Sequence, residues 1–133
     1  MIGEFMKLNL NFYKNDLVYD KFITSDVEKN IIENYINKIS PEEYANVFEK
    51  DNSIETVYAL SDNTKNVIQW YPFKKDCKIL EIGARLGELT GTLCDNAKKV
   101  VSVEFSKNRG EAISKRHNTR ENLEVIVRKF ARY

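Results

Sequence analysis

The residues best suited to chemistry lie in the short stretch ILEIGARLG, residues 79–87. Gly83 stands where an apolar run ends, and Gly87 stands where a helical pattern begins. A glycine after a strand lets the backbone approach a ligand closely, and the first amides of a helix favour anionic groups. Glu104 ends the next apolar run, 21 residues after Gly83, where a carboxylate can accept hydrogen bonds from both ribose hydroxyls. These positions predict a site for a nucleoside-containing cofactor.

The glycine spacing distinguishes two kinds of nucleotide loop. A dinucleotide fingerprint G-x-G-x-x-G that began at Gly83 would need glycine at Arg85 and glycine or alanine at Glu88, so it fails at both positions. The pattern E-x-G-x-G-x-G keeps its carboxylate at Glu81 and two of its three glycines. A carboxylate at the end of a strand suits the ammonium group of an amino acid or a positively charged sulfur.

Strands and helices alternate around this loop. Apolar runs predict strands over residues 78–82, 100–104 and 123–127. Helical spacing predicts helices between them, over residues 87–97 and 107–117. This order with short links predicts a parallel sheet with right-handed crossovers. A parallel sheet binds ligands beyond the carboxyl ends of its strands, which is where Gly83 and Glu104 fall.

The first half of the chain predicts a small, mostly helical N-terminal lobe with a β-hairpin. Apolar and polar residues alternate over 8–12, and residues 17–19 are the candidate return strand. Ser25 and Glu28 form a capping-box pattern that begins a helix, and Pro41 marks the start of a second helix. A third helix begins after Ser61, whereas residues 54–60 are compatible with an extended segment or a loop.

These patterns divide the chain into three parts. Residues 1–5 end in Glu-Phe before a second methionine, which is the pattern of a cloning scar, and they are excluded from the fold prediction. Residues 6–72 form the N-terminal lobe, and residues 73–133 form the βαβαβ unit. The predicted fold class is therefore α/β, with a partial Rossmann-like half-sheet preceded by the helical lobe.

Composition excludes several classes of protein. The 133 residues carry 21 basic and 20 acidic side chains, and the net charge of +1 argues against a broad nucleic-acid-binding surface. No apolar run approaches the roughly 20 residues that a membrane span needs, and no signal-peptide pattern is present. Cys77 and Cys94 form no CxxC pattern and the chain has one histidine, so we expect reduced thiols, no metal site and a cytoplasmic protein.

The segment ILEIGARLGELTGTLCDNAKKVVSVEFS, residues 79–106, resembles the cofactor-binding half of class I S-adenosylmethionine-dependent methyltransferases. It is most similar to the rRNA adenine dimethyltransferase type and to methyltransferase domains found with bacterial glycosyltransferases, over about residues 58–127. The resemblance implies that S-adenosylmethionine is the cofactor. It also implies that Glu104 holds the ribose and that Phe105 lies against the adenine. The methionine part would be surrounded by Glu81, Gly83, Ala84 and Gly87.

The sequence departs from the family pattern in two places. Arg85 replaces the middle glycine, so its side chain must turn to solvent or enter the cofactor's space, where a cation beside a sulfonium costs energy. Arg128 and Lys129 stand where the family usually has a glycine and then an Asp or Asn that reaches the adenine. Two interpretations therefore stay open: the cofactor-binding half of a methyltransferase, and a degenerate, non-enzymatic module that acts in assembly or regulation.

The family's sheet has the order 3-2-1-4-5-7-6, and this chain supplies strands 1, 2 and 3. The resemblance implies that strand 4 carries the residues facing the methyl acceptor. We therefore expect a truncated or incomplete module that is not catalytic on its own, and we assign no catalytic residue. Strand 78–82 would form a bare apolar edge, which templates pairing with another chain. We expect this strand to pair antiparallel with its own copy in a two-fold homodimer, or to pair with a partner chain. The alternative is that the N-terminal helices cover this apolar surface.

A nucleic-acid-binding module is a third interpretation, and it is not favoured. It depends on a group of cations in the second half of the chain: Lys107, Arg109, Lys115, Arg116, Arg120, Arg128 and Lys129. Because Glu111, Glu121 and Glu124 are interleaved with them, a solvated face is the better explanation. His117 lies near the end of a polar helix, where we expect it at the surface.

Overall fold

The structure, a computed structural model, describes residues 7–14 and 24–129. The sheet that these residues form has four parallel strands, β1 (Leu8–Asn9), β2 (Lys78–Ile82), β3 (Lys99–Glu104) and β4 (Leu123–Val127), in the spatial order β1-β4-β3-β2. Ile82 of β2 lies opposite Val103, and Glu104 of β3 lies opposite Val127. The carboxyl ends of β2, β3 and β4 therefore meet at one end of the sheet, as the predicted parallel fold requires.

The described α-helices are α1 (Asp26–Ile31), α2 (Tyr44–Val47), α3 (Ile54–Leu60), α4 (Thr90–Asn96) and α5 (Lys107–Arg116). A π-helical turn, Ile32–Ile36, continues α1, and 3₁₀ turns lie at Pro41–Glu43 and Asp62–Val67. Helix α4 connects β2 to β3, and α5 connects β3 to β4. The predicted alternation of strands and helices is confirmed, with shifts of a few residues at the helix ends.

Serine side chains fix the starts of several helices. The Ser25 hydroxyl accepts from the Glu28 amide at 3.2 Å, and the Glu28 carboxylate accepts from the Ser25 amide at 3.3 Å, so the predicted capping box is confirmed. Ser53 caps α3 and Ser106 caps α5 through the hydroxyl, each accepting from an amide three residues later. Each such cap contributes about 1 kcal/mol to its helix.

Two apolar clusters form the core. One joins the helices of the N-terminal lobe to α5 and to Leu86, which follows β2. The other lies between the sheet and helices α4 and α5, with Val100, Val125 and Ile113 fully buried. A Cβ at Gly110 of α5 would lie only 2.5 Å from a methyl of Val127, so this glycine lets α5 pack closely on β4. Because Leu86 belongs to the first cluster, the lobe packs beside the loop after β2.

The N-terminal segment departs from the prediction. The strand predicted over residues 8–12 spans Leu8–Asn9 and pairs in parallel with β4 in the main sheet, because Leu8 packs against the second cluster. The return strand predicted over 17–19 lies outside the described residues. Residues 54–60, which the sequence left open between extended segment and loop, form α3. The predicted boundary between residues 72 and 73 stays a prediction.

Strand β2 forms one edge of the described sheet. Its side chains Leu80 and Ile82 are 62% and 59% exposed, whereas Ile79 points the other way and packs in the second cluster. The apolar cluster that the N-terminal helices share with α5 includes neither Leu80 nor Ile82. The helices therefore leave these two side chains exposed.

Candidate functional site

The turn after β2 is built on three residues with left-handed backbone. Gly83, Arg85 and Gly87 have φ angles of 74°, 54° and 78°. This conformation costs a residue with a side chain about 1 to 2 kcal/mol, and glycine adopts it freely. The turn starts where the Gly83 amide donates to the Val103 carbonyl at 2.8 Å, at the carboxyl end of the sheet. The backbone thus has the geometry of three glycines, and Arg85 is held in a strained conformation.

The four positions predicted to surround the methionine part have different surroundings. A Cβ at Gly83 would find no atom within 4 Å, so open space borders the turn there. Ala84 is buried in the second apolar cluster. Gly87 lies against an imidazole, because a Cβ there would be 3.0 Å from His117 Nε2. The turn offers space for a ligand at Gly83, whereas Ala84 and Gly87 pack against protein.

Glu81 is the fourth of these positions, and two hydroxyls hold its carboxylate. Its Oε1 accepts from Thr90 Oγ1 at 2.7 Å and from Ser102 Oγ at 2.6 Å. Both hydroxyl residues are fully buried, one at the start of α4 and one in β3. These hydrogen bonds explain how a strand with apolar neighbours accommodates a carboxylate.

The Glu104 carboxylate is fully buried and holds the turn in place. Its Oε2 accepts from the Arg85 amide at 2.8 Å, and its Oε1 accepts from the amides of Phe105 at 2.8 Å and Ser106 at 3.4 Å. Arg109 Nη1 lies 3.6 Å from the same Oε1. The residue predicted to hold a ribose therefore holds the polypeptide in this conformation.

Glu28 of α1 connects the N-terminal lobe to this site. Arg109 Nη2 donates to its carboxylate at 2.8 and 2.9 Å, and Arg85 Nη2 donates to it at 3.3 Å. The Arg85 side chain is half exposed and lies 5.8 Å from the centre of the Tyr58 ring. The sequence left solvent and the cofactor's space open as directions for Arg85, but the half-exposed side chain lies against the lobe. Two guanidinium groups, those of Arg85 and Arg109, thus balance the carboxylates of Glu28 and Glu104.

His117 is not a surface residue, and that prediction was wrong. Its Nε2 lies 2.8 Å from the Gly87 carbonyl, to which the neutral imidazole donates. Burial, and secondarily the Arg116 guanidinium, lower the pKa of His117 to about 3. Gly87 and Gly91 make room for the ring, since a Cβ at Gly91 would be 3.2 Å from it. Gly87 and Gly91, four residues apart, were the sequence signal that a side chain packs against this segment.

The cations considered for nucleic acid do not form one exposed face. Arg116 is buried, and its Nη1 donates to the carbonyls of Ala59 at 2.7 Å and Leu86 at 3.0 Å, which ties α3 to the turn. Arg109 is paired with Glu28. These two guanidinium groups therefore hold the lobe and the turn together.

The positions predicted near adenine follow β3 and β4. Phe105 is partly buried, and its amide donates to the Glu104 carboxylate. Arg128 is exposed, with its guanidinium 5.6 Å from the centre of the Phe12 ring. The cation at 128 therefore lies against an aromatic side chain of the N-terminal segment.

Two kinds of feature are absent from residues 7–14 and 24–129. No helix there has the length and apolar character to cross a membrane. No group of three or more His, Cys, Asp or Glu side chains in these residues is arranged to hold a metal ion. The cellular compartment stays a prediction.

Comparison with known proteins finds methyltransferases. No protein-family model matches the chain. The ribosomal RNA small subunit methyltransferase A of Lachnoclostridium phytofermentans is 43% identical over 44 residues, which are 33% of this chain and 15% of that protein. The structure of phosphoethanolamine N-methyltransferase 1 of Haemonchus contortus, in complex with phosphoethanolamine and S-adenosylhomocysteine, is similar with a TM-score of 0.50 at 15% identity. A SAM-dependent methyltransferase from Aquifex aeolicus gives a TM-score of 0.46 at 14% identity.

The chain spans only part of each of these proteins. It covers 15% of the curated relative, 21% of the Haemonchus enzyme and 48% of the Aquifex enzyme, whereas these structural matches include 67% and 69% of this chain. The structural likeness to the Haemonchus enzyme concerns the fold. It agrees with the parallel sheet described above, so the resemblance and the fold class inferred from the sequence are confirmed. The chain has a partial Rossmann-like fold of the class I methyltransferase type.

Proposed function

We propose that this chain is an S-adenosylmethionine-binding, methyltransferase-like module that does not transfer methyl groups on its own. The observation that carries the proposal is the turn from Gly83 to Gly87. Its left-handed backbone at the carboxyl end of β2 is hydrogen-bonded to Glu104 at the end of β3. Ligands of open α/β sheets bind at this end of the strands. The cofactor itself would supply a methyl group on a positively charged sulfur.

The turn fits the methionine part of this cofactor. Gly83 faces open space that a side chain would fill, which is the purpose of a glycine at a close approach of backbone to ligand. The guanidinium of Arg85 lies beside Glu28 and Tyr58 on the lobe. Arg85 is therefore compatible with a ligand beside Gly83.

The residue on the ribose side fits less well. Glu104 is fully buried, and three backbone amides already donate to its two oxygens. A carboxylate has about four acceptor positions, and Arg109 Nη1 also lies 3.6 Å from Oε1, so the two hydroxyls of a ribose would have to share or displace protein donors. The ribose role of Glu104 and the adenine role of Phe105 stay predictions.

This saturation favours a second candidate function. In a non-enzymatic module that acts in assembly or regulation, Glu104 would serve only to hold the turn. Its contacts to Arg85 and Arg109 suit that role, since both arginines also bind Glu28 of the lobe. The two candidates differ in whether the turn still binds a nucleoside.

Calorimetric titration with S-adenosylmethionine distinguishes them. We expect saturable binding to the wild-type chain and none to Gly83→Val, because valine there is strained and fills the open space. Lys75→Val, on the turn before β2, is the control and should bind as the wild type does. A folded wild-type chain that gives no binding up to millimolar cofactor would leave the non-enzymatic module as the explanation.

The exposed edge of β2 supports pairing with a second chain. Leu80 and Ile82 are more than half exposed, and an unpaired strand edge templates pairing. In an antiparallel two-fold join of β2 with its copy, Leu80 would lie opposite the same residue. Light scattering should show a dimer that Leu80→Lys converts to a monomer. A wild-type chain that stays monomeric at high concentration would contradict the homodimer.

A further inference from the structure

A cleft lies at the opposite end of the sheet from the glycine turn. It has a volume of about 860 Å³ and is bordered by residues that precede or begin β1, β2, β3 and β4. Its cations come from four separate segments of the chain: Lys7, Lys78, Lys98, Lys99 and Arg120. Two carboxylates, those of Glu121 and Glu124, share the lining. The cleft is therefore basic, although the whole chain is nearly neutral.

Carboxylates neutralise only part of this charge. Lys99 lies 3.5 Å from Glu124, and Arg120 pairs with Asp95. Within residues 7–14 and 24–129, no carboxylate lies within ion-pair distance of Lys7, Lys78 or Lys98. Among the described residues, three ammonium groups in one cleft thus lack a direct counter-ion, and each has hydrogen-bond donors left for a ligand.

Lys7 makes this cleft more than a group of surface lysines. The residue is only 5% exposed, and its ammonium donates to the Arg120 carbonyl. Burial is the main cause that lowers the pKa of Lys7. A buried ammonium without an ion-pair partner is costly. The Coulomb attraction of Glu121 offsets only part of that cost, so an anion in the cleft would supply further negative charge.

The lining also restricts the class of anion. It contains no aromatic side chain, and Leu123 is its one apolar residue among those described. Bases of single-stranded nucleic acids are held mainly by stacking on aromatic rings, which this cleft does not offer. Clustered lysines act as point charges for phosphate oxygens. The cations also converge on one cleft and do not form a stripe along the surface.

We propose that this cleft binds a small molecule with two or more phosphate groups, held by Lys7, Lys78 and Lys98. The inference is independent of the S-adenosylmethionine proposal, because the cleft and the glycine turn lie at opposite ends of the sheet.

Titration of the full chain with inorganic pyrophosphate tests the proposal. We expect saturable binding that weakens as salt rises and that falls at least tenfold in a Lys78→Ala, Lys98→Ala double variant. Both side chains are exposed, so the fold should survive, and circular dichroism checks this. A Lys50→Ala, Lys65→Ala double variant removes two exposed lysines of the lobe and should bind as the wild type does.

Three results would overturn the proposal. The first is no saturable binding of pyrophosphate at low salt. The second is an equal loss of affinity in both double variants, which would indicate non-specific charge. The third is tight binding of a single-stranded RNA oligomer that pyrophosphate does not displace, since the ligand would then be a polymer.

Discussion

The two ends of the parallel sheet use charged residues in opposite ways. At the carboxyl end, Glu28, Glu104, Arg85 and Arg109 form a balanced set in which every charge has an opposite partner. At the amino end, the lysines of the basic cleft outnumber the carboxylates around them. Charge at the carboxyl end therefore fixes the polypeptide, whereas Lys7, Lys78 and Lys98 at the amino end have no ion-pair partner among the described residues.

The difference follows from the backbone that each end must hold. The turn after β2 keeps Arg85 in a left-handed conformation, which must be stabilised by contacts elsewhere. Glu104 and Glu28 provide those contacts. At the amino end, Asp76 before β2 is also left-handed, with a φ of 57°, but a short polar side chain such as Asp tolerates this conformation better than Arg does. Substitutions should therefore have large effects on stability at the carboxyl end and small ones at the amino end.

Substitution of Glu104 should produce the largest effect. Glu104→Ala leaves the amides of Arg85 and Phe105 without their acceptor and the Arg109 guanidinium without one of its carboxylates. We expect the free energy of unfolding to fall by about 3 to 5 kcal/mol, the range for breaking a buried charged pair. Urea denaturation followed by circular dichroism measures it.

Glu124→Ala is the matched control at the amino end. Glu124 also lies on a strand and pairs with a lysine, but both side chains are partly exposed. Its loss should cost less than about 1 kcal/mol. Equal costs for the two substitutions would show that the two ends do not differ as described.

The pH dependence of stability should show the next largest effect. Burial, the Arg116 guanidinium and, more weakly, Arg120 and Lys7 of the basic cleft together lower the pKa of His117 to about 3. The unfolded chain takes up a proton near the ordinary histidine pKa of about 6.5 while the folded chain does not. The contribution of His117 is therefore complete above that pH and is lost as the pH falls.

We expect the free energy of unfolding to decrease by up to about 1.4 kcal/mol per pH unit below pH 6.5. The chain has one histidine, so His117→Gln should remove most of this dependence between pH 6.5 and 5. Urea midpoints at several pH values give the slope. The same slope in the wild type and the variant would rule out a buried, neutral His117.

Two substitutions of Arg85 should differ by a smaller amount. Arg85→Ala loses the contacts to Glu28 and Tyr58 and keeps the left-handed strain, whereas Arg85→Gly loses the same contacts and relieves the strain. We expect the glycine variant to be more stable than the alanine variant by about 1 kcal/mol. Thermal denaturation compares them, and an alanine variant as stable as the glycine variant would contradict the strained turn.

The smallest effect is expected at the amino end. Lys98→Ala removes one of several neighbouring cations, so we expect a change below about 0.5 kcal/mol. The substitution should stabilise the fold slightly at low salt. This gain should vanish at high salt, because salt screens the repulsion between exposed charges. A large loss of stability would mean that Lys98 holds the fold and is not reserved for a ligand.

The sequence predicted those features that are determined by residues close together in the chain. Strands β2 and β4 have the predicted bounds, and the loop between Gly83 and Gly87 lies at the predicted end of the sheet. Apolar runs and glycines decide these features within a few residues of each other. The capping box of Ser25 and Glu28 is local in the same sense, and it is present.

Long-range features could not be predicted from local patterns. The basic cleft assembles cations from four segments, and the pairing of Leu8 with Val125 joins residues over a hundred positions apart. The contacts of Glu28 to Arg85 and of His117 to Gly87 likewise depend on how the lobe and α5 pack. Tertiary packing, and not local propensity, determines these features.

Backbone amide NMR of the labelled chain tests the contrast between the two ends most directly. S-adenosylhomocysteine should shift the amide signals of residues 81–87 and 104–106 and leave those of 98–99 and 120–123 unchanged, and pyrophosphate should do the reverse. Shifts at one end with both ligands, or no saturable shifts with either, would contradict two separate sites on one sheet.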